Sequence, residues 1–266
     1  MCYIGTMSSE NTSKINHLLS SHPSGVVMQS FWLAKQGYSL DLQKRYRKSK
    51  WLESIGTGAT IRAGDQVEYE GAIYALQRES GSAAHPGGRT ALSLMGKAHY
   101  LELATNNVTV FGDKGEKLPA WFQKHDWGVK VEYYPTSFLP ADMGLTDKEI
   151  KSFSIKISGA ARAVMECLYL AHEKQGLLEC YELMEGLNNL SPNQLQPLLE
   201  KCQSVKVKRL FMYLAEKAGH EWFKYLDLNK IDLGKGKRSI VKNGMYVSKY
   251  KITVPKELEE HDKASI

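Results

Sequence analysis

Residues Ser39–Gly56, SLDLQKRYRKSKWLESIG, set five cations, Lys44, Arg45, Arg47, Lys48 and Lys50, against two acids, Asp41 and Glu53. Leu42, Tyr46, Trp51, Leu52 and Ile55 are threaded between them. Unpaired charge at this density cannot be buried, so any element built here must turn one side to solvent or to a polyanion. At about 100° per residue, Leu42 and Tyr46 share one side of a helix, Gln43, Lys44, Arg47 and Lys48 share the other, and Arg45 flanks the inner side. The stretch predicts an amphipathic helix with Ser39 as N-cap and Lys50 near its end.

The neighbouring sequence gives that helix a context. Asn11, Thr12 or Ser13 can cap a first helix carrying Ile15, Leu18 and Leu19 at helical spacing, ended by His22-Pro23-Ser24-Gly25. A second short helix is expected within residues 25–39, closed by Gly37. After the basic helix, GTGATIRAG predicts a small hairpin around Gly56 and Gly58. Asp65 is a plausible cap for a fourth helix with Tyr69, Ala72, Ile73 and Leu76 on one face. Two helices, a tight turn, a basic helix and a wing hairpin are the order of a winged helix-turn-helix, in which the last helix reads DNA. Gln43 and the arginines suit adenine and guanine edges, and the lysines suit phosphate. Arg62, beside the wing, can reach phosphate or a minor groove. The candidate DNA-binding set is Ser39, Gln43, Lys44, Arg45, Arg47, Lys48, Lys50 and Arg62. The competing reading of the same face is a solvated one.

SGSAAHPGGRT (Ser80–Thr90) is the strongest internal break. It divides the chain into a loose tail (1–10), a DNA-binding domain (11–80) and a larger domain (81–266). In the latter, TALSLMG predicts a helix. Alternation through Tyr100, Glu102, Val108 and Val110, and again through Val129, Val131 and Tyr133, predicts strands. Residues 145–157 are open between a helical turn and strands. From Ser158 the pattern is helical, with Ser191 and Pro192 opening one helix and a long helix over 205–227. Asn243-Gly244 predicts a final hairpin. The fold class is α+β (mixed α/β): a winged helix-turn-helix followed by a larger mixed α/β domain.

With 266 residues and 42% hydrophobic content, the chain can build such cores. It has no apolar run near the ~20 residues a membrane span needs and no secretory pattern at its start, so a cytoplasmic protein is expected. Met7 competes with Met1 as the start. The four cysteines, Cys2, Cys167, Cys180 and Cys202, have no zinc-ligand spacing and are expected as reduced thiols.

Charge is uneven. From Lys201 to Lys256 there are 14 Lys and Arg against four acids, a surplus that suggests an anionic partner. Lys206, Lys208 and Arg209 open the long helix; Lys235, Lys237, Arg238 and Lys242 crowd the final loop and hairpin. This surface can meet an acidic protein face, flanking DNA or RNA, or be simply solvated. GKGKR lacks the spacing of a phosphate-binding loop. The D-x-E at Asp147 and Glu149 is a poor metal candidate, and His85 and His220 lack nucleophile partners. Arg89 can pair with an acid or cap a helix. No catalytic residue, metal or cofactor is expected.

Together, the winged helix-turn-helix up to Arg62, VEYEGAIYALQ (67–77), HPGGRTALSLMG (85–96), VKVKRLFMYLAEKAGHEWFKYLD (205–227) and DLGKGKRSIVKNGMYVSKYKITVP (232–255) resemble the AbiEi antitoxin family of type IV toxin–antitoxin systems. The resemblance implies an abortive-infection, phage-resistance setting. It implies autorepression through inverted repeats in the promoter, and neutralisation, direct or indirect, of a nucleotidyltransferase-like toxin. The cluster Lys206, Lys208, Arg209, Lys235, Lys237, Arg238 and Lys242 then becomes the candidate antitoxin surface. Two other readings compete: a plain regulator whose C-terminal domain senses a ligand in an apolar pocket, and an Mg²⁺-dependent enzyme acting on nucleic acid.

Overall fold

A computed structural model describes residues 14–97, 107–171 and 176–260. The expected caps at Asn11–Ser13, the tail 1–10, the strand positions Tyr100 and Glu102, and Cys2 lie outside the described residues. Helices and sheets alternate throughout, an α+β chain. The described residues fall into two compact units. One holds the chain up to Ser80 with Pro119–Trp127 and Ile150–Phe153; the other holds the remainder.

The first unit begins α1 (Lys14–Ser21), β1 (Met28–Gln29), α2 (Ser30–Lys35), α3 (Leu40–Lys48), β2 (Leu52–Gly56), β3 (Ala59–Arg62) and α4 (Tyr69–Glu79). Its core joins Ile15 and Leu18 of α1, Met28, Leu33, Tyr38 and Leu52, with Leu42 and Tyr46 of α3 packed against it. The three strands form one antiparallel sheet in the order β1-β3-β2. Three expectations change here. The second helix starts only at Ser30, because Met28 and Gln29 pair with Thr60 and Ala59 as a strand. The basic helix stops at Lys48, and Leu52–Gly56 becomes the first strand of the expected wing hairpin. The expected cap Asp65 instead accepts the Gly25 N–H (2.7 Å), and α4 starts four residues later, after Glu68.

The second unit continues with β4 (His85–Pro86), α5 (Gly88–Leu94) and β5 (Asn107–Gly112). After α6 (Ala120–Lys124), a helix of the first unit, come β6 (Lys130–Pro135), β7 (Leu145–Ile150) and β8 (Phe153–Ser158). Strand β5 is central, antiparallel to β4 and parallel to β6, with Val108 beside Val131 and Val110 beside Tyr133. Residues 145–157, open in the sequence, are the strand pair β7 and β8. Helices α7 (Ala160–Leu170), α8 (Leu177–Glu185), α9 (Pro192–Lys201) and α10 (Val205–Lys217) follow. Helix α7 buries Ala163, Val164, Met165, Cys167 and Leu168 at the heart of this unit. The long helix expected to Asp227 ends at Lys217, before Gly219 at φ +67°, and a 3-10 turn covers Glu221–Tyr225.

The chain closes with β9 (Arg238–Ser239), β10 (Met245–Val247), β11 (Ile252–Val254) and α11 (Lys256–Glu260). The sheet order is β10-β11-β9, with β9 parallel to β11. The Asn243-Gly244 hairpin is therefore corrected. Asn243 does turn the chain at φ +59°, but β9 and β10, the strands it joins, each pair with β11. The hairpin turn is Ser248–Lys251, with Lys251 at φ +53° and its N–H on Ser248 O (3.3 Å).

Candidate nucleic-acid and partner interfaces

Helix α3 is set by its two ends. At the front, Gly37 at φ +87° reverses the chain after α2, and Ser39 Oγ accepts the Leu42 N–H at 3.3 Å as an N-cap. At the back, Lys50 N–H reaches Arg47 O (3.1 Å) and Trp51 N–H reaches Tyr46 O (3.0 Å). Those two bonds form a Schellman closure with Lys50 in the left-handed position, at φ +56°. Between the ends, Lys44, Arg45 and Lys48 are exposed and Arg47 is half-buried. Among the described residues, the side chains of Lys44, Arg47 and Lys48 have no ion-pair or hydrogen-bond partner.

Two members of the expected DNA-binding set are corrected. Gln43 does not face outward. It is fully buried, and its Nε2 donates to Ser30 O (3.0 Å) and Tyr38 O (2.7 Å), stapling the turn between α2 and α3. A polar side chain is buried when its donors meet waiting carbonyls, and a helical wheel sees only its polarity. Arg62 also turns inward: its Nη2 donates to Leu19 O and to His22 O (3.2 Å), closing the C-terminal end of α1. It is no free phosphate contact.

The C-terminal candidates divide in the same way. Lys206, Lys208 and Arg209 are corrected as surface groups. Lys206 Nζ donates to Tyr169 O (3.1 Å) and Ala171 O (2.8 Å) at the end of α7. Lys208 is buried. Arg209, only 1% exposed, is wrapped by the glycine-rich loop. Its Nε donates to Leu233 O (2.6 Å), Nη2 to Gly234 O (3.0 Å), and Nη1 to Gly236 O (2.7 Å) and Lys251 O (3.2 Å). Asp232 Oδ1 in that loop accepts the Gly234 N–H (2.8 Å). Four backbone carbonyls thus hold one guanidinium, and the loop they shape presents Lys235, Lys237, Arg238 and Lys242 to solvent. Lys237 lies over the half-exposed Tyr246 ring, 4.9 Å from its centroid. Glu216 of α10 pairs with Lys249 and accepts Tyr250 Oη (2.9 Å), tying the terminal sheet to that helix.

HPGG organises a buried charge centre that the sequence does not announce. Glu166 of α7 is fully buried and accepts the Gly88 N–H (2.8 Å), Ser158 Oγ–H (2.7 Å) and Arg162 Nε–H (2.8 Å). His85 Nε2 lies 3.3 Å from Glu166 Oε1, while its Nδ1 meets Ala83 O at 2.7 Å. Both ring nitrogens face acceptors. Burial alone would push the Glu166 carboxyl up; the His85 and Arg162 charges and the Ser158 hydroxyl outweigh it and hold it below the usual range. A Cβ on Gly87 would stand 2.4 Å from Glu166 Oε2, so glycine is required there. Arg162 was legible as an i,i+4 partner of Glu166; His85 was not.

The remaining candidates have structural partners. Arg89 pairs with Glu179 (2.7 Å), as one of its two readings had it. His220 Nε2 donates to Met184 O (2.7 Å) and its ring stacks on Trp222. Asp147 lies 3.6 Å from Lys156. Cys167, Cys180 and Cys202 are buried, and burial pushes Cys180 up to about 12 and Cys202 to about 11. No group of three or more His, Cys, Asp or Glu residues suited to a metal occurs among the described residues, and none of the described helices is long and apolar enough to cross a membrane.

A family profile described as transcriptional regulator, AbiEi antitoxin, type IV TA system matches residues 105–255, and one described as the AbiEi antitoxin N-terminal domain matches residues 11–103. A comparison with curated protein sequences returns no match. The crystal structure of the RV2827C protein from Mycobacterium tuberculosis is similar at a TM-score of 0.57, with 12% identity, over 94% of this chain and 93% of that one. At that identity the likeness carries the fold alone. The two profiles follow one another along nearly the whole sequence, and the chain belongs to the AbiEi family of antitoxin transcriptional regulators of type IV toxin–antitoxin systems.

Proposed function

We propose that the chain represses its own operon by laying α3 in the major groove of promoter inverted repeats, with the β2–β3 hairpin as the wing. The observation that carries this reading is the outward row of unpartnered cations on α3. Ser39 offers the exposed start of the helix, Lys44, Arg45 and Lys48 its open face, Arg47 its half-buried flank and Lys50 its end. Fluorescence anisotropy with a duplex from the region upstream of the gene tests it. Lys44→Ala and Lys48→Ala should each flatten the salt dependence of binding by about 0.9 in the log–log slope. Unchanged slopes would remove α3 from the interface.

The same reading gives the antitoxin role to the loop surface of Lys235, Lys237, Arg238 and Lys242, which meets a nucleotidyltransferase-like partner toxin or the nucleic acid that toxin acts on. The protein works in the cytoplasm and catalyses nothing itself. Charge reversal of Lys235, Lys237 and Arg238 to Glu should abolish rescue of cells from the cognate toxin and leave operator binding intact. Rescue by the reversed protein would return the cluster to an ordinary solvated surface.

A second reading, a regulator that senses a small ligand, has one observation in its favour: an open cavity of about 590 Å³ in the second unit, lined in part by Met95, Lys97, Thr146, Asn189, Gln194 and Leu198. Filling it with Ala161→Trp would leave rescue and repression unchanged under the antitoxin reading.

A further inference from the structure

Once Gln43 is withdrawn into the turn, the face that α3 offers to the major groove has a different chemistry from a row of amide and guanidinium forks. Its first residue is Leu40, 66% exposed. Leu40, Lys44, Arg47 and Lys48 stand at i, i+4, i+7 and i+8 and so form one stripe along the helix. An isobutyl group at the head of a stripe of cations is poorly placed for folding: it leaves apolar surface in water and does not join the core of Leu18, Leu33, Tyr38 and Leu52. Phe31, the other large exposed apolar residue of the α2–α3 pair, has the Lys35 ammonium 5.4 Å from its ring centroid as cover. Asp41, the acid beside Leu40, sits in the first turn, where a carboxylate complements the helix dipole.

A reading helix contacts base edges mainly with its N-terminal residues, the end where Leu40 stands. The major groove exposes one methyl group, the 5-methyl of thymine, among the hydrogen-bond donors and acceptors of the base edges. We propose that Leu40 is a specificity-determining residue that packs on a pyrimidine 5-methyl group, while Lys44 and Lys48 hold the backbone. The inference rests on the recognition role of α3 and adds to it the class of base edge read at the helix start. Sequence preference then comes partly from apolar contact, which is independent of salt, and affinity comes from phosphate contacts, which are not.

The test is a double-mutant cycle between protein and DNA, read by anisotropy at fixed salt. Duplexes of the upstream region are made with single thymines replaced by deoxyuridine, which removes the methyl and keeps every hydrogen-bonding group. Wild-type protein should lose about fourfold in affinity at one thymine per half-site, the factor that burying one methyl-sized group is worth. Leu40→Ala should lose a similar factor on the unmodified duplex and be indifferent to deoxyuridine at that position. Leu40 is exposed, so the variant should melt with the wild type. A wild type indifferent to every replacement, or a Leu40→Ala protein that keeps the wild-type sensitivity, overturns the proposal. If Lys44→Ala and Lys48→Ala still flatten the salt slope in that case, the fault lies with Leu40 alone. If they do not, the recognition role of α3 has failed as well.

Discussion

Two basic runs, KRYRK in α3 and VKVKR at the head of α10, look alike in sequence and meet opposite fates. The first leaves Lys44 and Lys48 in solvent without partners; the second buries Lys208 and Arg209 and turns Lys206 onto the carbonyls at the end of α7. The difference lies in the residues around the cations. In α3, apolar side chains occupy one side, so cations on the other have nowhere to go but water. In α10, every residue from Val207 to Ala215 is buried, so a cation in that stretch must be inside. A buried cation needs acceptors, and for Arg209 the carbonyls of Leu233, Gly234, Gly236 and Lys251 supply them. Basic charge is thus a binding signal only where the helix that carries it is one-sided. Two glutamates with enclosed side chains repeat the contrast. Glu166 has His85 and Arg162 beside it and is held low, whereas Glu79 faces a neutral-leaning His22 at 3.6 Å and is pushed up to about 8.

Arg209→Ala breaks the comparison hardest. It leaves a void and strips four carbonyls of a charged donor, a loss on the order of 3–5 kcal/mol. Thermal unfolding should drop by roughly 10 °C, and the loop that presents Lys235 and Lys237 should become protease-sensitive. If the variant melts with the wild type, Arg209 is a surface cation after all and the two runs are equivalent.

Much of the first unit was legible because its signals are local. Gly37, Ser39 and the GTG turn fix the ends of short elements, and Leu42 and Tyr46 give α3 its inner side. Gln43 was not legible, because its burial depends on two carbonyls that the turn brings to it from thirteen and five residues upstream. In the second unit helix positions were readable from Ser158 onward, but the partners of Arg209, and the Gly88 and His85 partners of Glu166, come from segments 24 to 81 residues away in sequence. The all-round apolar composition of α10 was the available warning that its cations are internal. Asn243-Gly244 marked a turn correctly and its strand pairing wrongly, since a turn residue fixes a bend and not which strands lie beside each other.

Glu79→Gln probes the raised member of the glutamate pair. Burial drives the Glu79 carboxyl upward against the pull of its hydrogen bonds from Gln29, so folding favours the protonated form. That stabilisation is complete below the usual 4.5 and is lost as pH rises through about 8. Burial lowers the pKa of His22, which works in the opposite direction below 6.5, so the informative interval lies above it. Wild-type melting temperature should fall between pH 7 and 8.5, and Glu79→Gln should flatten that fall. Glu166 behaves inversely: its contribution is present at neutral pH and is lost as the solution is acidified through its depressed value. An unchanged slope in Glu79→Gln would mean that the carboxyl is ionised and solvated. Smaller again, Gln43→Ala should cost about 1–3 kcal/mol by orphaning the Ser30 and Tyr38 carbonyls. It should weaken operator and random DNA alike, because it loosens α3 without removing a base contact; a loss confined to the operator would restore Gln43 as a reader.

The smallest effect separates stability from binding on α3 itself. Lys50 holds the left-handed position of the Schellman closure, where a β-carbon is strained and glycine is the usual occupant. A lysine there gives up stability and keeps a cation at the end of the helix proposed above to meet DNA, where it also complements the C-terminal dipole. Lys50→Gly should therefore raise unfolding free energy by about 0.5–1 kcal/mol while reducing the salt slope of DNA binding by one phosphate contact. A variant that is more stable and binds DNA as before would show that this cation belongs to the helix end alone. A variant that is less stable would show that the lysine stem packs against the wing strand and that its strained backbone has a structural reason. Only the combination of higher stability and a flatter salt slope marks Lys50 as a residue kept for the ligand at a cost to the fold, the property that the buried cations of α10 lack.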